Sequence, residues 1–249
     1  ILNNKIIKYL SNRIEYYALI AYLFFGTFAF TISYAGNSYI EILLSIINNK
    51  TFLVVFLLPS FILYWNMVIK YSTNDYQTII RIKKRKDYVI FLSKELTKAS
   101  LLLFFQYIIF QLICVNLTAH TNIFTSNTYN YNVNDLTLYI ICIIRLFLNL
   151  LTMKYLFTFL YLNMKNKECS ILLMFALFIM IYFSNRLFFI NSYLNYFNIG
   201  YHYYGIDLTT NIYELIISNV LFNTLMSSII NLPMYLLIKK VDFCTENRR

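Results

Sequence analysis

The chain has 249 residues, of which 59% are hydrophobic and 13% are charged, and its formal net charge is +10. This composition excludes an ordinary soluble domain and is typical of an all-α integral membrane protein with several transmembrane helices. The basic residues are dispersed over several membrane-proximal segments, so the positive charge does not indicate binding to nucleic acid.

The first sixteen residues predict a helix that lies on the membrane surface. Apolar side chains recur there at steps of four, at Leu2, Ile6, Leu10 and Ile14. This spacing places them on one helical face, with polar and basic residues elsewhere, which is typical of an interfacial amphipathic helix. We therefore expect residues 1–16 to lie on the cytoplasmic leaflet.

Six later segments predict transmembrane helices, because each is predominantly apolar and close to the ~20 residues that a spanning helix needs. They are Tyr17–Tyr34, Phe52–Ile69, Ala99–Leu117, Leu136–Tyr161, Ser170–Phe189 and Leu215–Ile238. In the second segment, Pro59 lacks a backbone donor and predicts a kink. Tyr64 and Trp65 are expected at the inner interface, where amphipathic rings are common. We expect Ala35–Thr51, between the first two segments, to be an outer loop.

Lys and Arg predict the orientation of the chain, since cytoplasmic loops carry an excess of both. Of the 21, 17 fall in the N-terminal arm, residues 70–98, the Met164–Glu168 turn and the C-terminal tail. The loops on the other side together carry only Lys50. Both termini are therefore predicted to be cytoplasmic, with residues 1–249 forming one transmembrane domain of six helices.

Residues 70–98 are the only long charged segment, and they hold eight of the Lys and Arg residues. Ser72, Thr73 and Asp75 suit the start of a short amphipathic helix, because their side-chain oxygens can accept from free backbone N–H groups. The basic run Arg81–Lys86 follows. A charged elbow between two spans cannot lie in hydrocarbon. We expect it to face the cytoplasm and to contact a partner protein there.

Polar side chains inside the predicted spans form a second group of candidates. Arg145 lies roughly 14 Å from the outer end of the fourth span, too deep to reach the headgroups easily. It shares a helical face with Asn149 and Thr152. A buried arginine of this kind is either functional or a structural partner of another helix, and the sequence leaves both open. Lys154 is expected to extend to the inner interface.

The last span carries a polar stripe at steps of four, at Asn219, Asn223, Ser227 and Asn231. In lipid such a stripe must face other helices or a wet cavity, so helix packing and a translocation path are both compatible with it. We expect the first three of these residues to face a second membrane subunit. With Arg145 and Asn149, they are the translocation-path candidates.

Residues 190–214, between the last two spans, carry no Lys or Arg and are rich in Tyr, Phe and Asn. The segment is too aromatic for a plain flexible linker. It is compatible with short re-entrant helices in the outer leaflet, which are tolerated where protein covers their ends.

The sequence contains no pattern that indicates a catalytic or metal centre. The four Gly residues lie outside the cytoplasmic segments, so no Gly-rich phosphate loop is present there. His120 and His202 are the only histidines, and they lack the spacing of metal ligands. We therefore expect no catalytic residue, no metal and no cofactor in this chain.

The layout of amphipathic N-terminal helix, six spans, basic elbow and aromatic outer segment resembles the membrane subunits of type-2 ABC exporters. The elbow pattern Arg81-x3-Arg85-Lys86-x-Tyr88-x5-Lys94 is similar to the first cytoplasmic loop of that family, with Tyr88 where an indole is common. The resemblance covers the whole chain in layout and about 25 residues in motif.

The resemblance implies that the elbow is a coupling helix docked on a separate ATP-binding cassette subunit. The residues implied in this contact are Thr73, Asp75, Tyr76, Ile79, Arg81, Arg85 and Lys86. Two ATPase copies would bind ATP and Mg²⁺, and a second membrane subunit, identical or related, would complete the transporter within membrane lipid. The expected substrate is an amphipathic or hydrophobic peptide, toxin or bacteriocin, handled for export or self-immunity in the cell membrane of an AT-rich Gram-positive bacterium.

The sequence is compatible with two alternative functions. A secondary transporter or channel would use intramembrane acids for ion coupling, and only Glu214, near an outer boundary, comes close. An intramembrane enzyme would need a nucleophile, a base or metal ligands. An ATPase partner is required by the ABC hypothesis alone.

Overall fold

The structure, a computed structural model, describes residues 14–35, 37–74, 85–119, 133–164, 167–184, 202 and 211–237. Nearly all of these residues are helical, and none of them belongs to a β-strand. In chain order the helices are α1 (Ile14–Ser33), α2 (Tyr39–Asn48), α3 (Lys50–Phe52), α4 (Leu58–Asn74), α5 (Arg85–Thr118), α6 (Asp135–Asn163), α7 (Lys167–Ser184) and α8 (Ile212–Leu237). A π-helical turn, Leu53–Leu57, joins α3 to α4. Most of the predicted interfacial helix, residues 1–13, lies outside the described part.

Five helical segments of the described chain are long and apolar enough to cross a membrane. They are Ile14–Ser33, Lys50–Lys70, Asp87–Thr118, Asp135–Asn163 and Ile212–Met234. The predicted fifth span, Ser170–Phe189, corresponds to α7, whose apolar stretch Glu168–Met180 is shorter than a span. Its last residues lie beyond the described end of α7. The described residues thus form a helical bundle compatible with a multi-pass membrane protein.

The helix α2 replaces the outer loop predicted for Ala35–Thr51. Seven of its ten residues are buried, and it packs against α6, α5 and α1. The backbone N–H of Ser38 donates to Glu41 Oε2 at 3.0 Å and starts the helix, while Asn49 ends it. A helix of this length is about 15 Å long, too short to cross a membrane. Apolar runs of 10–14 residues commonly form such buried or re-entrant helices.

The disturbance predicted at Pro59 appears as the π-helical turn immediately before it. In a regular helix the N–H of residue 59 would donate to the carbonyl of Val55, but proline has no N–H. The N–H of Leu58 instead donates to the Leu53 carbonyl, one residue further back. The Val55 carbonyl accepts from Tyr22 Oη on α1 at 2.6 Å. A side chain of α1 therefore satisfies the group that Pro59 leaves free.

Gly26 lets α1 approach the same turn closely. A Cβ atom added to Gly26 would lie 2.2 Å from Phe56 Cδ1, a distance that real Cβ atoms do not show. The Phe56 ring also packs 5.0 Å from the ring of Tyr22, measured between centroids. The small residue on α1 thus positions the π-helical turn against it.

Tyr64 and Trp65, which the sequence predicts near the inner end of the second span, face the interior of the bundle. Their exposed fractions are 2% and 1%. Trp65 Nε1 donates to Ser100 Oγ on α5 at 2.8 Å. A buried indole N–H needs an acceptor, and the hydroxyl group of the neighbouring helix supplies one. The Trp65 ring also packs on Phe157 of α6, with centroids 5.8 Å apart.

The helices α5 and α6 organise the bundle. α6 packs against α8, α2, α5, α7 and α4. α5 has 34 residues, which gives a length of about 51 Å, against a hydrocarbon thickness of about 30 Å. The predicted third span, Ala99–Leu117, is therefore one part of a longer helix that begins in the basic elbow at Arg85.

Candidate functional site

Four polar side chains form what we call the polar seam, where α6 meets α8. Asn149 and Thr152 come from α6, and Asn219 and Asn223 come from α8. All four are buried, with exposed fractions between 1% and 6%. Steps of three and four residues place each pair on one face of its helix. Because hydrocarbon offers no hydrogen-bonding partner, these groups must bond to one another.

The amide groups of the polar seam form a connected hydrogen-bond network. Asn223 Nδ2 donates to Asn149 Oδ1 at 2.8 Å, and Asn219 Nδ2 donates to the same oxygen at 3.2 Å. Asn223 Nδ2 also donates to Asn219 Oδ1 at 3.1 Å, and Thr152 Oγ1 donates to Asn223 Oδ1. The side-chain oxygens of all three asparagines therefore accept bonds from within the seam.

A backbone carbonyl group sits against the remaining amide donors. The carbonyl oxygen of His202 accepts from Asn149 Nδ2 at 2.6 Å and lies 3.4 Å from Asn219 Nδ2. The His202 ring stacks on Phe222 of α8, with centroids 3.9 Å apart and an interplanar angle of 17°. His202 belongs to the predicted outer segment, and its neighbours at 190–201 and 203–210 lie outside the described residues. The seam thus holds part of that segment by its main chain.

A small cleft opens beside the polar seam. One wall is formed by the seam residues Asn149, Thr152 and Asn223. The other wall is apolar and consists of Met153, Leu156, Phe222, Met226 and Ile230. The cleft has a volume of about 20 Å³, enough for a water molecule. Its exposed surface is apolar, because the amide and hydroxyl groups of these residues bond within the network and do not face the cleft.

Three of the five predicted translocation-path residues meet in the polar seam: Asn149, Asn219 and Asn223. Arg145 is buried on the same helical face, about one turn from Asn149, with 4% of its surface exposed. Ser227 is half-buried and lies one turn beyond Asn223. Burial of Arg145 in the bundle interior agrees with the sequence analysis.

The stripe on α8 faces its own chain at two of the three positions expected to face a second subunit. Asn219 and Asn223 bond to Asn149 of α6 and are almost fully buried without any partner subunit. The sequence spacing showed that these residues share a face. It did not show that α6 carries a matching asparagine at the same depth, which gives that face a partner within the chain.

Lys154 forms a second polar contact, between α6 and α5, that we call the lysine brace. Its Nζ donates to Thr97 Oγ1 at 2.7 Å and lies 3.4 Å from Ser93 Oγ. Nζ also lies 3.8 Å from the centroid of the Tyr155 ring. Lys154 is fully buried, and the two hydroxyl groups that hold it belong to residues 70–98, the charged segment that the sequence predicts on the inner side. Ser93 and Thr97 stand one helical turn apart, a spacing that could have indicated this polar face of α5 but that the sequence analysis did not use.

The predicted coupling residues lie largely beyond the described part of the chain. Those outside it are Asp75, Tyr76, Ile79 and Arg81. Thr73 belongs to the last turn of α4, and Arg85 and Lys86 belong to the first turn of α5. The backbone thus places these three at the ends of the two helices that flank the basic elbow.

No group of three or more His, Cys, Asp or Glu side chains lies close enough to hold a metal ion, within the part of the chain that the structure describes. Cys114 and Cys142 are buried free thiols, and Cys169 is an exposed one. The donors of the polar seam and the lysine brace are amides, hydroxyls and one ammonium group, and they bond to acceptors within the chain. Comparison of the chain with models of protein families, with curated proteins and with solved structures finds no match in any of the three.

Proposed function

We propose that this chain is the membrane-spanning permease subunit of an ABC transporter in a bacterial cell membrane. It moves an amphipathic or hydrophobic substrate, a peptide or toxin, out of the cytoplasm or inner leaflet for export or self-immunity. Two separate ATP-binding cassette subunits bind ATP and Mg²⁺ and supply the energy, and a second membrane subunit, identical or related, completes the complex. The chain itself performs no chemistry.

The observation that carries this proposal is the connection between the basic elbow and the polar seam. The helix α5 begins at Arg85 and continues unbroken to Thr118. The lysine brace joins α5 to α6 about two to three turns from Arg85, and Asn149 lies little more than one turn from Lys154 on α6. A displacement of the elbow would therefore move the seam through packed, hydrogen-bonded helices. A permease driven by a cytoplasmic ATPase needs such a connection.

The composition of the cleft supports the proposed class of substrate. Its exposed surface is apolar, and its lining includes Met153, Phe222 and Met226. Thioether and aromatic side chains adapt to varied apolar ligands. A sugar or a small ion would require a denser set of polar groups.

Co-purification and elbow variants test the proposal. A tagged chain extracted from its native membrane is expected to carry an ATP-binding cassette protein with ATPase activity. Arg81→Glu combined with Arg85→Glu should dissociate or uncouple that protein while membrane insertion stays normal, because the reversed charges oppose docking. The matched control is Lys165→Glu with Lys167→Glu in the other cytoplasmic turn, which should retain coupling. Absence of an ATPase partner, or normal transport by the elbow variant, would refute the proposal.

A deletion strain tests the substrate. We expect it to accumulate a secreted peptide internally, or to become more sensitive to one added outside. Unchanged peptide levels and sensitivity, together with retention of a polar metabolite, would contradict the peptide assignment.

A proton-coupled secondary transporter is the second candidate, because Lys154 is a fully buried intramembrane base whose hydrogen-bonding partners are hydroxyl groups. Intramembrane ionisable groups of this kind serve as proton relays. In proteoliposomes that contain only this chain, a proton gradient would then drive uptake without ATP. Transport that requires ATP and the partner ATPase would exclude this alternative.

A further inference from the structure

The lysine brace contains a positive charge that no described residue neutralises. Lys154 is fully buried, and no carboxylate in the described part of the chain pairs with it. The hydroxyls of Thr97 and Ser93 accept from its ammonium group at 2.7 and 3.4 Å. The Ser93 hydroxyl itself donates to none of the described residues. Because a buried charge is normally compensated by an opposite charge, an anion that accepts from Ser93 would complete the brace.

The brace adjoins the outer surface of the bundle through α5. Ser93 and Thr97 are half-buried, whereas Lys94 and Lys98, which follow them on the neighbouring face of the helix, are exposed. Glu95 is the only carboxylate on these turns of α5, and it bonds to Lys98 at 2.7 Å. The surface over the brace therefore combines a hydroxyl donor with an excess of positive charge.

The height of this surface along α5 matches the headgroup layer of a membrane. α5 rises about 30 Å from Lys98 to Thr118, which equals the thickness of the hydrocarbon layer. The exposed face that carries Lys94 and Lys98 continues over that length with exposed apolar side chains at helical spacing. They are Leu101, Phe105, Ile109 and Leu112. A lipid on this face would lay its acyl chains along the apolar residues and its headgroup beside the two lysines.

We propose that the surface of α5 over the lysine brace binds the headgroup of an anionic phospholipid from the inner leaflet. The lipid phosphate accepts from Ser93 Oγ and from the ammonium group of Lys94, and the buried Lys154 adds its charge from the interior side. Ser93 Oγ lies 3.4 Å from Lys154 Nζ, so a phosphate oxygen bonded to Ser93 lies within about 6 Å of the buried charge. Basic pockets between membrane helices bind anionic headgroups in this way.

Thermal unfolding of the full chain in dodecyl maltoside tests this inference. Dioleoylphosphatidylglycerol, added at about tenfold its Kd from native mass spectrometry, should raise the Tm by about 3–6 °C. Dioleoylphosphatidylcholine has the same acyl chains and a phosphate but no net charge, and we expect no shift from it. Inorganic phosphate at the same concentration should also give no shift, because it lacks the acyl chains that hold the headgroup at the site.

Protein variants separate the site from general charge attraction. Lys154→Met should weaken binding of phosphatidylglycerol by about fivefold or more, although without lipid it should unfold no earlier than the wild type. Ser93→Ala removes a hydrogen bond to a charged group and should weaken binding by about tenfold. The control is Lys165→Met, which removes one positive charge from another predicted cytoplasmic segment and should retain wild-type affinity. If Lys154→Met fails to fold by gel filtration, Ser93→Ala decides.

Equal shifts with phosphatidylglycerol and phosphatidylcholine, or wild-type affinity in both site variants, would overturn the inference. A shift reproduced by inorganic phosphate would mean that the site takes a soluble anion and not a lipid. Equal losses in Lys154→Met and Lys165→Met would show that net charge alone attracts the lipid. These measurements need neither ATP nor an ATPase subunit, so their failure leaves the permease proposal standing.

Discussion

Lys154 shows how a charged residue is accommodated inside this bundle. The side chain is fully buried and its ammonium group bonds to the hydroxyls of Thr97 and Ser93. An ammonium group away from water carries a desolvation cost of several kcal/mol in general, and hydroxyl groups offset only part of it. Removal of the charge and removal of its partner should therefore affect stability in opposite ways.

We expect Thr97→Val to lower the free energy of unfolding by about 1–3 kcal/mol, because Lys154 would remain buried with a weaker set of acceptors. Lys154→Met keeps a similar volume and removes the charge, so it should be neutral or stabilising. Thermal unfolding in detergent, followed by circular dichroism, gives both values. Thr224→Val on the exposed face of α8 is the control, since the hydrogen bonds of Thr224 to the described residues stay within its own helix. A Lys154→Met variant less stable than Thr97→Val would contradict this account.

At the junction of α1 with the π-helical turn, one helix supplies a hydrogen bond that its neighbour lacks. Pro59 removes the donor that a regular helix would offer to the Val55 carbonyl, and Tyr22 replaces it from α1. Gly26 permits the close approach that this hydrogen bond requires. The side chains of α1 thus provide both the hydrogen bond and the space that the irregular helix requires.

A double-mutant cycle measures the energetic coupling between Tyr22 and Pro59. Tyr22→Phe alone should cost about 1–2 kcal/mol, since the Val55 carbonyl would lose its donor in a site without water. With Pro59→Ala in place, residue 59 regains an N–H and the helix can satisfy that carbonyl itself. The same Tyr22→Phe change should then cost less than about 0.5 kcal/mol. Equal losses in the two backgrounds, from unfolding in SDS titrations, would show that the bond to Val55 does not depend on Pro59.

At the scale of the whole molecule, the distribution of basic residues predicts which end of the bundle faces the cytoplasm. Residues 70–98 and the Met164–Glu168 turn carry ten of the 21 Lys and Arg residues, and positive charge concentrates on the cytoplasmic side. Cys169 follows that turn directly and is exposed, whereas Cys114 and Cys142 are buried. The native cysteines therefore report the orientation.

In a Cys244→Ser background, a membrane-impermeant maleimide should label Cys169 in inverted vesicles and leave it unlabelled in intact cells. Cys114 and Cys142 should react only after denaturation, because both are buried in the bundle. Labelling of Cys169 in intact cells would reverse the predicted topology. Permeabilised cells provide the positive control.

The sequence by itself predicted a helical structure with several helices apolar enough to span a membrane, and the position of most of those helices. Apolar runs of about 20 residues require helices in a membrane, since every backbone group must bond within its own segment. Pro59 marked the irregular turn, and the steps of four in Asn219 and Asn223 marked the polar face of α8. These features depend on residues close together in the chain, which is why the pattern alone reveals them.

Only the tertiary structure decided which groups meet. It paired Asn223 with Asn149, bonded Lys154 to Thr97, and buried α2, where the sequence predicted a loop. Helical periodicity defines the face on which a residue lies, but the partner of that face depends on how helices distant in sequence pack. In an apolar environment an unpaired amide or ammonium group is costly, and the packing of distant helices pairs these polar residues with one another within the chain.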